Sequence, residues 1–206
     1  RPANSNKGIN YAALNKDDGT RAKYISRFEN GKLIEFDYDA YHLRLIANLI
    51  GIIQPEDSFH RYLGKLYFDS NSLTKEQCDE SKKISFQILY GGIPKEFRRI
   101  DYFNKTANYI SELWDIYNSK GYIETPILKR KLYKKNLDNM NPQKLFNYLI
   151  QAYETEMNSK VLKNILNLLE DYSSKMILYV YDAFLFDIDP SEKSLIKQIQ
   201  KLMVFP

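Results

Sequence analysis

The stretch Lys82-Lys83-Ile84-Ser85-Phe86-Gln87-Ile88-Leu89-Tyr90-Gly91-Gly92 decides how this chain is read. Thr74, with Gln77 three residues on, forms the start signal of a capping box. No proline interrupts residues 75–90, and Gly91-Gly92 supplies a stop. The spacing predicts a helix on which Lys82, Phe86 and Tyr90 fall at i, i+4 and i+8 and share one face. One cation and two flat rings in a row can grip a nucleotide, the amine against phosphate and the rings against sugar and base. The same pattern fits a core helix whose lysine runs its stem along apolar surface and keeps its head in water. On this stretch alone, that plainer reading is favoured.

Two further stretches change the balance. Phe36-Asp37-Tyr38-Asp39-Ala40-Tyr41-His42-Leu43-Arg44 ends a strand on an aspartate and opens a helix. Tyr179-Val180-Tyr181-Asp182-Ala183-Phe184-Leu185-Phe186 sets a second aspartate between two apolar strand runs. The three in this order resemble the C-terminal palm and fingers of the family A DNA polymerases. That family's signatures are, in outline, D-Y-S-Q-x-E-L-R, then R-x3-K-x3-F-x3-Y-G, then H-D-E. The resemblance implies an α+β fold, with an antiparallel palm sheet that helices pack against and a mainly helical fingers subdomain. It divides the chain into palm (1–54), fingers (55–135) and palm again (136–206), and it suggests a divergent, phage-like member.

Bulk composition agrees without deciding. The chain has 206 residues, long enough for one or two domains, and 44% apolar with 27% charged residues is ordinary for a soluble globular protein. A formal charge of +4 permits a nucleic-acid partner and does not argue for one. The basic runs Lys129-Arg130-Lys131 and Lys134-Lys135 read first as solvated faces. Cys78 is the one cysteine, so no intrachain disulfide can form and no thiolate metal site is expected. The longest apolar run, residues 43–53, contains Arg44 and Asn48 and is too short to span a bilayer, so no membrane partner is expected. A cytoplasmic location follows as the expectation, the host cytoplasm for a phage protein. The chain opens on Arg1 without a methionine and reads as a piece of a longer protein.

Other segments fill in the outline. Residues 1–10 read as loop, and they resemble a family segment in which Arg1 and Asn10 would contact the primer–template minor groove. A turn at Asn30-Gly31 is a hairpin signal and leads into a strand over residues 33–38. Asp39 is placed to cap a helix over residues 40–49, with Gly51 beyond its end. Ser58-Phe59-His60-Arg61 resembles a family D-I-H-R whose histidine approaches the incoming triphosphate, whereas a lone histidine is more often structural. Residues 93–120 carry a helical apolar stripe, read as core. Residues 121–132 resemble a family hairpin, disturbed by Pro126 and Leu128. Asn141-Pro142 starts a helix expected to run to about residue 172. On it Asn147 and Gln151 share a face and resemble the family's N-x3-Q, which reads the template–primer. A strand, a tight turn and a strand occupy residues 175–188, with Asp187 and Asp189 expected at the surface. A last helix and tail complete the chain.

By resemblance, Asp37, Asp182 and the Tyr38 backbone carbonyl would hold two Mg2+ ions, which suit hard oxygen ligands. Lys82 would neutralise the triphosphate and serve as the catalytic acid towards pyrophosphate. His42, His60, Phe86 and Tyr90 would complete the nucleotide site. The implied function is a DNA-directed DNA polymerase, and the partners are dNTP and primer–template DNA. Three departures are plain. His42 replaces the family's acid, Cys78 replaces a triphosphate-binding arginine, and Ala183 replaces the glutamate after the second aspartate. They motivate an alternative, a catalytically degenerate module that binds primer–template DNA. The thumb and exonuclease domains precede this region in the family and are expected upstream of this chain.

Overall fold

A computed structural model describes residues 19–204. They group into two compact units, one from residues up to Tyr38 together with Ser159 onward, the other Asp39–Asn158. In chain order the elements are β1 (Lys32–Asp37), α1 (Tyr41–Leu49), α2 (Phe59–Tyr67), α3 (Lys75–Gly91), α4 (Asp101–Lys120), β2 (Tyr122–Glu124), β3 (Lys131–Tyr133), α5 (Pro142–Leu168), β4 (Lys175–Val180), β5 (Ala183–Ile188) and α6 (Ser194–Leu202). No helix among the described residues is long and apolar enough to cross a membrane.

The first unit is a three-stranded sheet in the order β1-β5-β4, antiparallel throughout. Phe184, Phe186 and Ile188 alternate along β5 and are buried, the period of two that a half-covered sheet demands. They pack with Leu195 and Ile199 of α6 and with Val161 and Ile165 from the last turns of α5. Each large apolar side chain buried in this way contributes about 1.5–3 kcal/mol. The turn between β4 and β5 places Tyr181 at φ 57°, a left-handed conformation that costs a tyrosine more than a glycine.

The second unit is mainly helical. Helix α3 begins at the capping box expected of it, with Thr74 Oγ1 accepting from the Gln77 amide at 3.2 Å and Gln77 Oε1 accepting from the Thr74 amide at 2.9 Å. It lies close against α2, where a Cβ on Gly64 would meet Leu73 Cδ1 at 2.7 Å and Ser81 Cβ at 3.0 Å. Gly64 is therefore what permits the approach. Helix α1 ends on Gly51 at φ 67°, with the Ile52 amide donating to Ala47 O at 2.9 Å. That is the pattern of a Schellman stop. The core of this unit gathers Leu45, Phe59, Leu63, Tyr102, Phe103, Leu145 and Phe146. Tyr102 also donates to Leu43 O at 3.1 Å, which satisfies its buried hydroxyl.

Several sequence expectations are corrected here. The turn at Asn30-Gly31 forms, with Asn30 at φ 59° and the Gly31 amide donating to Phe28 O at 3.0 Å. It leads from a loop into β1, and β1 pairs with β5, so no local hairpin results. Asp39 does not cap α1, whose N-terminal flank is Ala40 at φ 51° with no side-chain cap. Its carboxylate instead accepts from the Phe59 amide at the start of α2 at 3.3 Å and pairs with Arg44 at 3.2 Å. The helical stripe over residues 93–120 divides into a 3-10 turn, Lys95–Arg99, and α4. Helix α5 stops at Leu168. Asp187 is buried: Ser26 Oγ donates to it at 2.5 Å, the Arg27 amide at 3.3 Å, and the Arg27 guanidinium lies 3.3 Å away. A buried carboxylate needs such donors, and residues 26–27 supply them.

The hairpin of β2 and β3 is tied down by Glu156 of α5, a carboxylate only 2% exposed. Thr125 Oγ1 donates to it at 2.6 Å, the Leu128 amide at 3.1 Å, the Ile127 amide at 3.2 Å and Arg130 Nε at 2.9 Å. Burial acts to raise its pKa, but Thr125, the Leu128 amide and Arg130 together hold it below the usual glutamate range. A depressed folded pKa means that the unfolded chain binds the proton more readily. The stability Glu156 contributes is thus present above the ordinary glutamate range and is lost as the pH falls through the folded value. Glu156→Gln should lower stability by about 2–3 kcal/mol at neutral pH, read from the urea midpoint, with the deficit shrinking in acid. An unchanged midpoint would show the acid to be passive.

Candidate functional site

Two groups of side chains emerge, one in each unit. In the sheet unit, Asp37 is the last residue of β1 and lies opposite Ala183, the first residue of β5. Asp182 is the residue immediately before Ala183, in the β4–β5 turn. Paired strands run about 5 Å apart, so the ladder delivers both acidic residues to one end of the sheet. Asp37 is exposed and Asp182 half-buried. Tyr38, next to Asp37, has its phenol pushed up to about 12 by burial and by the neighbouring Tyr179, and it stays neutral at physiological pH. Among the described residues no three His, Cys, Asp or Glu side chains gather as a metal site. The acidic ligands available at this sheet end are therefore two, as the alanine at position 183 requires.

In the helical unit, α3 has two faces. Ser81, Ser85, Ile88 and Leu89 are buried. Ser81 Oγ donates to the His60 carbonyl at 3.0 Å, and Ser85 Oγ lies 2.9 Å from Tyr67 Oη. Lys82, Phe86 and Tyr90 each follow a buried residue by one position and turn outward. Phe86 is 48% and Tyr90 40% exposed, and their rings stack with centroids 6.1 Å apart. The core-helix reading of this stretch thus fails: the buried stripe is a different one. Lys82 approaches Asp79 at 3.9 Å, an exposed pair worth little. Its charge can therefore be redirected to a ligand at small cost.

Around this face stand the other residues singled out from the sequence. His60 is 7% exposed, lies 5.5 Å from the Phe86 ring, and its Nδ1 has no hydrogen-bond partner among the described residues. Burial holds its pKa below the ordinary histidine value, with Asp39 opposing that shift and Lys82 adding to it. His42 Nδ1 lies 2.7 Å from Tyr90 Oη. Asn147 is half-buried, accepts from Gln143 Nε2 at 3.3 Å and lines a shallow pocket with His42, Leu89 and Tyr90. Gln151, one turn on, is exposed. Arg1 and Asn10 lie outside the described residues.

One residue here escaped the sequence reading. Glu154 of α5 places Oε2 2.7 Å from His42 Nε2, so the imidazole bridges a carboxylate and a phenol. A signal for it existed. Asn147, Gln151 and Glu154 fall at i, i+4 and i+7, so Glu154 stands on the helix face already singled out.

Comparison with known proteins adds an independent line. No family model matches the chain. It is 23% identical over 206 residues to DNA polymerase I of Synechocystis sp., covering 78% of this chain and 21% of that protein. It is 24% identical over 220 residues to DNA polymerase I of Streptococcus pneumoniae, covering 86% and 24% respectively. With DNA polymerase I of Caldicellulosiruptor bescii it shares 23% over 98% of the chain and 28% of the relative. The chain thus spans about a quarter of the length of these relatives. Its fold matches the POL domain of Pol1 from M. smegmatis, solved in complex with DNA primer-template and dNTP, with a TM-score of 0.73 at 21% identity over 88% of this chain and 38% of that one. The α+β fold expected from the sequence is the fold observed, and the resemblance to family A DNA polymerases is met by sequence relatives and architecture alike.

The buried His60 makes stability depend on pH. Because its folded pKa is depressed, protons favour the unfolded chain, and stability should fall as the pH drops below the ordinary histidine range. Urea midpoints of the wild type should decline between neutral pH and about pH 5, near one unit above the carboxylate range, and His60→Gln should flatten that decline. Parallel profiles for the two proteins would exclude His60 as the source.

Proposed function

We propose that this chain is the palm and fingers part of a DNA-directed DNA polymerase, adding dNTPs to a primer 3′ end. Residues 1–54 and 136–206 would be palm and 55–135 fingers. The partners would be primer–template DNA and dNTP, and the setting the cytoplasm, including that of a host cell. The observation that carries the reading is the exposed Lys82–Phe86–Tyr90 face of α3, in a chain whose sheet also brings Asp37 and Asp182 to one end.

The donor set suits magnesium. Two carboxylates and the Tyr38 carbonyl are hard oxygen ligands, and the remaining positions would fall to phosphate and water. Two such ions, when bound, would supply Lewis-acid charge to the reacting phosphate and its flanking oxygens. Asp37 and Asp182 would hold that charge at the sheet end. Lys82 Nζ would meet the triphosphate, offset its charge and give a proton to the departing pyrophosphate. Phe86 would lie along the sugar, and Tyr90 would stack beside the nascent pair. His60, neutral at physiological pH because of its burial, would donate one N–H to the phosphates instead of a full charge. Asn147 and Gln151 would contact the template–primer, as would Arg1 and Asn10.

A second reading is a polymerase-like module that holds primer–template DNA without chemistry. The thinned acidic set favours it, because two carboxylates stand where the family pattern has three acids. Primer extension with magnesium and dNTPs by the protein that carries this chain separates the two. The polymerase reading expects extension that chelation abolishes. It also expects Asp37→Ala and Asp182→Ala to lower the rate by 1,000-fold or more, on the order of 4 kcal/mol of barrier. Lys82→Ala should cost about 100-fold in kcat/KM for dNTP. Extension undiminished in Asp37→Ala would end the polymerase reading. DNA binding without incorporation at any metal concentration would select the second.

A further inference from the structure

We infer that Glu154 is a positioning residue which, through His42, fixes the hydroxyl of Tyr90 and so sets how the site discriminates at the 2′ position of an incoming nucleotide's sugar. The sugar role rests on the polymerase function proposed for this chain; the relay itself does not. His42 Nε2 lies 2.7 Å from Glu154 Oε2 and His42 Nδ1 2.7 Å from Tyr90 Oη, and both side chains of the ion pair are largely covered, at 19% and 14% exposure.

Hydrogen-bond chemistry orders the chain of three. A carboxylate only accepts, so the proton between His42 and Glu154 sits on Nε2. In the neutral imidazole Nδ1 is then the acceptor, and Tyr90 must donate to it. The phenol hydrogen points at the ring and the phenol oxygen turns its lone pairs outward. Without Glu154 nothing selects this tautomer. With the proton on Nδ1 instead, the Tyr90 hydroxyl would lose its acceptor and turn. Position 42 is where the family pattern carries an acid. Here the acid comes from α5, and the histidine extends its reach.

The chain contains only two histidines, His42 and His60, so imidazole nitrogen shifts can be read by NMR without ambiguity. Wild type should show His42 with Nε2 protonated and Nδ1 bare. Glu154→Gln, whose amide oxygen can still accept, should keep that pattern, and Glu154→Leu should lose it. The ratio of dGTP to GTP affinity, titrated on the same protein, should fall about tenfold in Glu154→Leu and recover in Glu154→Gln, the effect of one hydrogen bond. In a Tyr90→Phe background the Glu154→Leu change should add nothing, because there is no hydroxyl left to position. If Glu154→Leu does not fold, the wild-type tautomer and the Tyr90→Phe and Glu154→Gln ratios still decide. A wild-type His42 protonated on Nδ1, or equal losses with and without the Tyr90 hydroxyl, overturns the relay. If wild type binds neither nucleotide, the sugar role falls together with the polymerase function, and the tautomer alone judges the relay.

Discussion

The antiparallel ladder between β1 and β5 joins the two ends of this chain. It runs from Lys32 opposite Ile188 to Asp37 opposite Ala183, and β5 pairs in turn with β4. Its register follows from the pleat. Phe184, Phe186 and Ile188 must all face the helices, and a slip of one residue would turn them to water at about 1.5–3 kcal/mol each. The same register decides which residue of β5 faces Asp37, and so which acid stands nearest. The placement of two acidic residues at one sheet end is thus a by-product of core packing on the other face of the same strands.

Helix α3 meets a comparable constraint by different means. Its buried face is built from serines where it crosses α2, because Gly64 and Ser81 come too close for larger side chains. The serine hydroxyls then find partners in the His60 carbonyl and the Tyr67 hydroxyl, so the tight crossing leaves them satisfied. Since that face packs with small residues, the adjacent one can present two large rings and an amine outward. Large exposed aromatics stacked on one another are unfavourable for a chain with no ligand, and this asymmetry gives the helix its functional colour.

Buried acids recur as ties between distant segments. Glu156 gathers the β2–β3 hairpin, Asp187 gathers residues 26–27, and Glu154 reaches His42. Each is satisfied by donors from elsewhere in the chain, the condition under which a carboxylate tolerates burial. In the nucleotide-facing group the result is an imidazole held from both sides, where a direct acid–phenol contact would have been the simpler arrangement.

Much of this was legible in the residues. The capping box at Thr74, the stop at Gly51, the Asn141-Pro142 start and the alternation through β5 are local signals, and local physics honours them. The Lys82, Phe86, Tyr90 face follows from helical period alone. Which side of that helix is buried does not, because both stripes carry large side chains, and only the neighbours, Gly64 above all, select between them. Likewise Asp187 could not be read as buried, nor Asp39 as serving α2, since the donors that settle each lie in other elements of its unit. The sequence by itself determined the elements, their ends and their faces, because those depend on residues a few positions apart. Tertiary structure alone decided which acid meets which base, because burial and hydrogen-bond partners are set by contacts between segments that no short window of sequence contains.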